Sequence, residues 1–183
     1  MINSFKKIQH LISSRYLAGG FVIASLAFIS CDETLVYSEY KKISEAGWGM
    51  RDTLEFQIDS MAEAGAYALD LGVRTTSDKS YGFKALQVQV EQVWLSPALQ
   101  DSIDTLQCAD VLKSSNRTMD CQMINDRGDN LGEGISNYQY SFPLDTLTLP
   151  VGASGKLRVA HRMRRPQLQG IVNVGIELRR VEE

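Results

Sequence analysis

The chain has 183 residues, of which 19 are Lys or Arg and 22 are Asp or Glu, giving a formal net charge of −3. An acidic chain has no electrostatic reason to bind nucleic acid or anionic lipid headgroups. Its length suits one domain with a real core.

The first fifteen residues carry Lys6, Lys7 and Arg15 and no acid, and Leu17 to Ile29 is then apolar but for Gly19, Gly20 and Ser25. That run is shorter than the roughly 20 residues a membrane-spanning helix needs. A basic head before a short apolar run is a secretory signal peptide, here residues 1–30, outside the fold proper. Phe28-Ile29-Ser30-Cys31 resembles a bacterial lipobox, with Phe28 where Leu is usual. On that reading Cys31 is acylated and becomes the first mature residue. The alternatives are an ordinary signal cut elsewhere, leaving Cys31 free or bridged, or an anchor left uncut. Each buried acyl methylene contributes about 0.8 kcal/mol, so two or more chains hold stably. Losing residues 1–30 takes the formal net charge from −3 to −6, because only Lys6, Lys7 and Arg15 are charged there. The expected organisation is a lipidated N-terminus and short tether at 31–44, then one domain at 45–183.

Period-two alternation dominates that domain and predicts half-buried strands. Leu54, Phe56 and Ile58 share one face of "TLEFQI"; Tyr67, Leu69, Leu71 and Val73 share one face of "AYALDLGVR". "SMAEAGAYA" has room for a helical turn before that strand. Leu86, Val88 and Val90 alternate until Gln92 interrupts before Trp94, which suggests a bulge. Residues 103–112 and 117–124 read as two strands about Ser114-Ser115. Folded as a hairpin there, Cys108 faces Cys121 with Cα atoms about 4.5 Å apart, at the short end for a disulfide. Ser-Ser is a poor turn pair, and two reduced core cysteines are the alternative. Three cysteines, with Cys31 acylated, leave these two. Further on, Tyr138, Tyr140, Phe142 and Leu144 share a face, as do Leu157, Val159, His161 and Met163, then Val172, Val174, Ile176 and Leu178. Turn chemistry separates the strands at 125–130, 152–155 and 165–170. Eight or nine antiparallel strands make an all-β, two-sheet sandwich, with the jelly roll as one form of it.

Catalytic groups are sparse. His161 is the one histidine after the signal peptide, in phase with apolar neighbours, as in a core position. No G-x-S-x-G elbow accompanies it, so a hydrolase using His161 with Ser154 or a carboxylate ranks last. One histidine and two cysteines do not make a zinc site. "NDRGDNLGEG" does not match a calcium loop, and its Arg127-Gly128-Asp129 tripeptide reads as turn composition. No metal or cofactor is expected. Asp-Ser/Thr-aliphatic triplets recur at Thr53, Ser60, Ser102, Thr105 and Thr146. They resemble O-glycan acceptors of exported Bacteroidetes proteins, with strand-start chemistry as the plainer reading. Asn116-Arg117-Thr118 fits an N-glycan acceptor that a bacterial lipoprotein has little use for. Arg162, Arg164 and Arg165 form a basic run in an acidic domain, either a solvated edge or a contact for an acidic partner.

"VYSEYKKI", "GWGMRDTLEFQI", "GFKALQVQVEQVW", "GDNLGEGISNYQYSF" and "GKLRVAHRMRRPQLQGIVNVGIELRR", following a lipobox cysteine, together resemble the GldH family of gliding-motility lipoproteins of Bacteroidetes. The resemblance implies a non-enzymatic envelope lipoprotein, anchored in the outer membrane on an undetermined face. Its partners would be other envelope motility or secretion proteins. Asp32-Glu33 faintly resembles this phylum's surface-export signal. Trp48, Met163, Arg164, Gly170, Val174 and Gly175 match recurrent family positions, as fold-defining residues first and contacts second. The alternative function is a surface carbohydrate-binding module, with Trp48, Trp94, Tyr138 and Tyr140 as its aromatic platform.

Overall fold

The computed structural model describes residues 34–78, 81–97 and 110–181. The signal peptide, Cys31, Asp32-Glu33, Ser102, Thr105 and Cys108 lie outside them. Leu69, Leu71 and Val73 are wholly buried on one side of a strand whose other side carries Asp70, Gly72 and Arg74. The same alternation builds β1 (Leu35–Lys42), β2 (Trp48–Gly49), β3 (Leu54–Ile58), β4 (Gly65–Thr76), β5 (Ala85–Leu95), β6 (Val111–Gln122), β7 (Asn137–Leu149), β8 (Ser154–His161), β9 (Gln167–Leu168) and β10 (Ile171–Arg180).

Two four-stranded antiparallel sheets result, ordered β1-β10-β4-β7 and β3-β8-β5-β6, with β2-β9 as a separate pair. Consecutive long strands switch sheets except at β5-β6, and each sheet takes the order of a jelly roll with its two Greek keys. The core lies between the sheets. Phe56, Val88, Val90, Trp94, Leu157 and Val159 come from one sheet; Tyr67, Leu71, Val174, Ile176 and Leu178 come from the other.

Antiparallel pairing gives the sandwich two ends. Leu35 lies beside Arg179, Gly65 beside Leu149, Ile58 beside Gly155, and Leu95 beside both Ser154 and Val111. This near end is where the chain enters at Thr34. Met61 ties both sheets together there, donating its N–H to Ala153 (2.8 Å) and accepting from Gly152 (2.8 Å). The bond replaces the helical turn expected around Met61 with a pinned bend. The far end holds the start of β5, the close of β8, and the β2-β9 pair.

Several expectations change. Residues 35–42 are an edge strand hydrogen-bonded to β10 rather than a tether, so the domain begins ten residues earlier than expected. Glu39 and Lys41 pair at 2.9 Å on its inward-facing side; these charges break the apolar alternation and also guard the edge against stray pairing. The hairpin about Ser114-Ser115 does not form. β6 runs straight through those residues, placing Ser115 beside Gln92 and Ser114 beside Val93. Cys121 stands beside Leu86 as a buried, free thiol whose pKa burial pushes up to about 12. Gln92 causes no bulge; it sits in phase, buried, and the register shifts two residues later, where Leu112 is the added residue. A second shift makes Leu144 the extra residue in β7, which lets both Leu144 and Leu147 face the core. A third makes Val172 the extra residue in β10, so Ile171 is buried while Val172 is only half-buried.

Candidate functional site

The arginine run leaves the end of β8 and turns over the outer face of the β3-β8-β5-β6 sheet. Phe83, Ala85, Gln87, Asp120, Arg162, Met163, Arg164 and Arg165 line an open groove of about 450 Å³ at the far end. Its floor is apolar: Phe83, Ala85 and the half-buried Met163, whose sulfur accepts the Gln87 backbone N–H at 3.3 Å. The Arg162 backbone N–H donates to the Gln87 carbonyl (2.8 Å), which continues the sheet one residue past β8. The groove's one carboxylate, Asp120, accepts a bond from the Gln87 amide (2.9 Å). Arg162 is fixed by Gln89 (2.5 Å), and Arg165 lies 6.0 Å from the centre of the Phe83 ring. Arg164 and Arg165 stand exposed on the rim, with no carboxylate bonded to either among the described residues. The groove is an apolar slot under guanidinium groups, suited to an anion that carries an apolar side chain.

Behind the groove the β2-β9 pair closes the far end. Trp48 pairs with Leu168, and its indole N–H donates to the Asp52 carbonyl at 3.1 Å. His161 is fully buried and donates from Nε2 to the Trp48 carbonyl (3.1 Å), its ring meeting the Trp48 ring edge-on at 5.3 Å. Nδ1 has no partner, and burial lowers the pKa, so the imidazole is neutral near pH 7. Ser154 and His161 open and close β8, about 23 Å apart at strand rise; they cannot act as a dyad.

The six positions singled out by resemblance divide by role. Trp48 and Val174 are core, and Gly170 turns the chain before β10 with φ +84°. Gly175 faces Gly72 across the ladder, and the Tyr40 ring lies over both. Tyr40 donates to the carboxylate of Glu177 (2.7 Å), with the Arg74 guanidinium 3.9 Å from its ring centre. Met163 and Arg164 line the groove instead. Sequence reasoning found the arginines but missed Phe83 and Gln87, which only sheet pairing brings to them.

The aromatic platform is absent. Trp48 and Trp94 are 1% and 0% exposed, Tyr140 is buried, and Tyr138 is packed partly against the core. Both indoles are held inside because their N–H groups find internal acceptors, the Asp52 carbonyl for one and Gln92 (2.9 Å) for the other. Gln92 in turn donates to Asp145 (2.7 Å) and Ser115 (3.0 Å), which satisfies a buried amide. Of the candidate glycan acceptors within the described residues, Thr53, Ser60 and Thr146 are exposed. Thr53 stands at the start of β3, whereas Thr146 is mid-strand in β7, where strand-start chemistry does not account for its triplet. In the 125–130 loop, Asn125 closes its own turn by accepting the Arg127 and Asp129 backbone N–H groups at 3.0 and 2.9 Å.

Fold and surface together define a jelly-roll module that offers contact faces and an open groove. The chain matches the GldH lipoprotein family model over residues 35–178, and it belongs to that family. It is accordingly a lipid-anchored protein of the cell envelope. A search of curated proteins found no match. Among solved structures, a protein from Sulfurospirillum deleyianum is similar at TM-score 0.45 and 9% identity, over 80% of this chain and 99% of that one. The VP2 subviral particle of infectious bursal disease virus gives 0.33 and 11%, over 78% of this chain and 30% of that one. Desmodium yellow mottle tymovirus gives 0.24 and 10%, over 80% and 89%. Likeness at this level carries nothing about activity.

Proposed function

We propose that the protein is a non-enzymatic part of the gliding-motility and secretion machinery of Bacteroidetes, acylated at Cys31 and anchored in the outer membrane. It works by holding another envelope protein in the groove beneath Arg162, Arg164 and Arg165. The observation that carries this reading is the groove itself: guanidinium groups over an apolar floor, in a mature chain whose formal net charge is −6 once residues 1–30 are removed. An acidic partner segment with one apolar side chain satisfies both the rim and the floor. Family membership supports an envelope location, and Met163 and Arg164, two of the positions resembling the family's, lie in the groove.

Reversing two rim charges, Arg164→Glu with Arg165→Glu, tests the reading in the native host. Both side chains are exposed, so folding and membrane association should persist. Co-purification with envelope motility proteins and display of surface adhesins should both fall sharply. Full complementation of a deletion strain by the reversed chain would sink the proposal.

A further inference from the structure

Three residues, a span of four Cα steps, separate the acyl-bearing cysteine from the first strand, and this short distance restricts how the domain sits. Even fully extended, they place Leu35 within about 14 Å of Cys31. The near end of the sandwich is therefore held close to the bilayer, and its surface chemistry is unlike that of the far end. Leu35, Val36, Val111, Leu112, Val151 and Val181 are all exposed there, while the far end exposes Met50, Leu131 and Ile135. The six aliphatics cross the full width of the sandwich. Leu35 and Val36 are on β1 and Val181 follows β10, beside Ala66 of β4. Val151 is in the β7-β8 turn, and Val111 and Leu112 open β6.

Two of the six are added residues. Val36 has no partner between Leu35↔Arg179 and Tyr37↔Leu178, and Leu112 has none between Val111↔Leu95 and Lys113↔Trp94. A bulge re-aims a side chain, and each of these bulges leaves an aliphatic exposed at the end where the anchor joins. The charges nearby are mixed in sign. Arg180 pairs with Glu63, Lys113 pairs with Asp145 at 2.7 Å, and Asp59 and Asp110 are exposed.

From this arrangement we infer that the near end is a membrane-seating surface. The aliphatics of β1, β6, the β7-β8 turn and Val181 rest in the lipid headgroup boundary. The domain then stands upright with the arginine groove pointing away from the bilayer. The inference rests on the lipid anchor, and it goes beyond it by fixing orientation. Since the contact is apolar and the charges named beside it are four acids to two bases, it needs neither anionic lipid nor low salt.

The test uses the full acylated chain reconstituted in phosphatidylcholine vesicles with brominated acyl chains. Three variants carry one added fluorophore each: Val151→Trp and Val111→Trp at the near end, and Ile135→Trp at the far end. Trp48 and Trp94 are buried and supply a constant background. Val151→Trp and Val111→Trp should lose most of their added emission, at low and high salt alike, while Ile135→Trp keeps its own. Vesicle flotation runs in parallel. A chain that floats with all three fluorophores unquenched, or equally quenched, overturns the seating surface but leaves the anchor intact, with a protein partner as the remaining occupant. A chain that does not float overturns the anchor and the seating together. Leu112→Trp repeats the near-end measurement if either near-end variant fails to fold.

Discussion

Replacing Gly175 by Ala perturbs one well-defined contact. A Cβ there would stand 2.5 Å from Tyr40 Cδ1 and 2.8 Å from the Glu39 carbonyl oxygen, well inside van der Waals distance. The ring must lift, and lifting it releases two attachments, the hydroxyl bond to Glu177 and the Arg74 stack. Glu177 is only 7% exposed, so a lost donor is not freely replaced by water. Forcing an extra methyl into a packed site costs about 1–3 kcal/mol. A hydrogen bond to a charged group is worth about 1.5–3 kcal/mol. Both costs come from the same ring movement, so they overlap, and about 2–4 kcal/mol is expected for the substitution. Urea unfolding of Gly175→Ala, Tyr40→Ala and the double variant measures it. Without the ring the contact with the Glu39 carbonyl remains, so Gly175→Ala should still cost about 1 kcal/mol, leaving a coupling of about 1–3 kcal/mol. A cost that is the same with and without Tyr40, or under about 0.5 kcal/mol in the parent, would refute the reasoning.

Two further predictions follow from buried polar groups. The folded pKa of His161 lies below its ordinary value, so below about pH 6.5 the unfolded chain binds a proton that the folded chain does not. Stability should therefore fall as pH drops through about 6.5, by at most about 1.4 kcal/mol per pH unit, and be flat above it. His161→Gln should remove that slope, and an unchanged slope would assign the effect elsewhere. Gln92→Leu keeps the volume but strands the Trp94 indole N–H and removes a donor from Asp145. A loss of about 2 kcal/mol is expected in thermal or urea unfolding; a variant as stable as the parent would contradict the network.

The sequence alone determined what local chemistry can determine. Side chains alternate across a strand, so the buried faces of β3, β4, β8 and most of β7 were legible from their apolar periods, and with them the all-β class. Tertiary structure decided whatever depends on strand partners. Glu39 and Lys41 made β1 look like a tether because an edge strand can turn charges inward. Ser114-Ser115 looked like a turn because nothing local reveals that β5 pairs along the whole of β6. Gln92 looked like a break because its partners, Asp145 and Ser115, come from other strands. The groove has the same origin. Arg162 to Arg165 are contiguous, but Phe83, Gln87 and Asp120 reach them only through long-range sheet pairing, which no local pattern encodes.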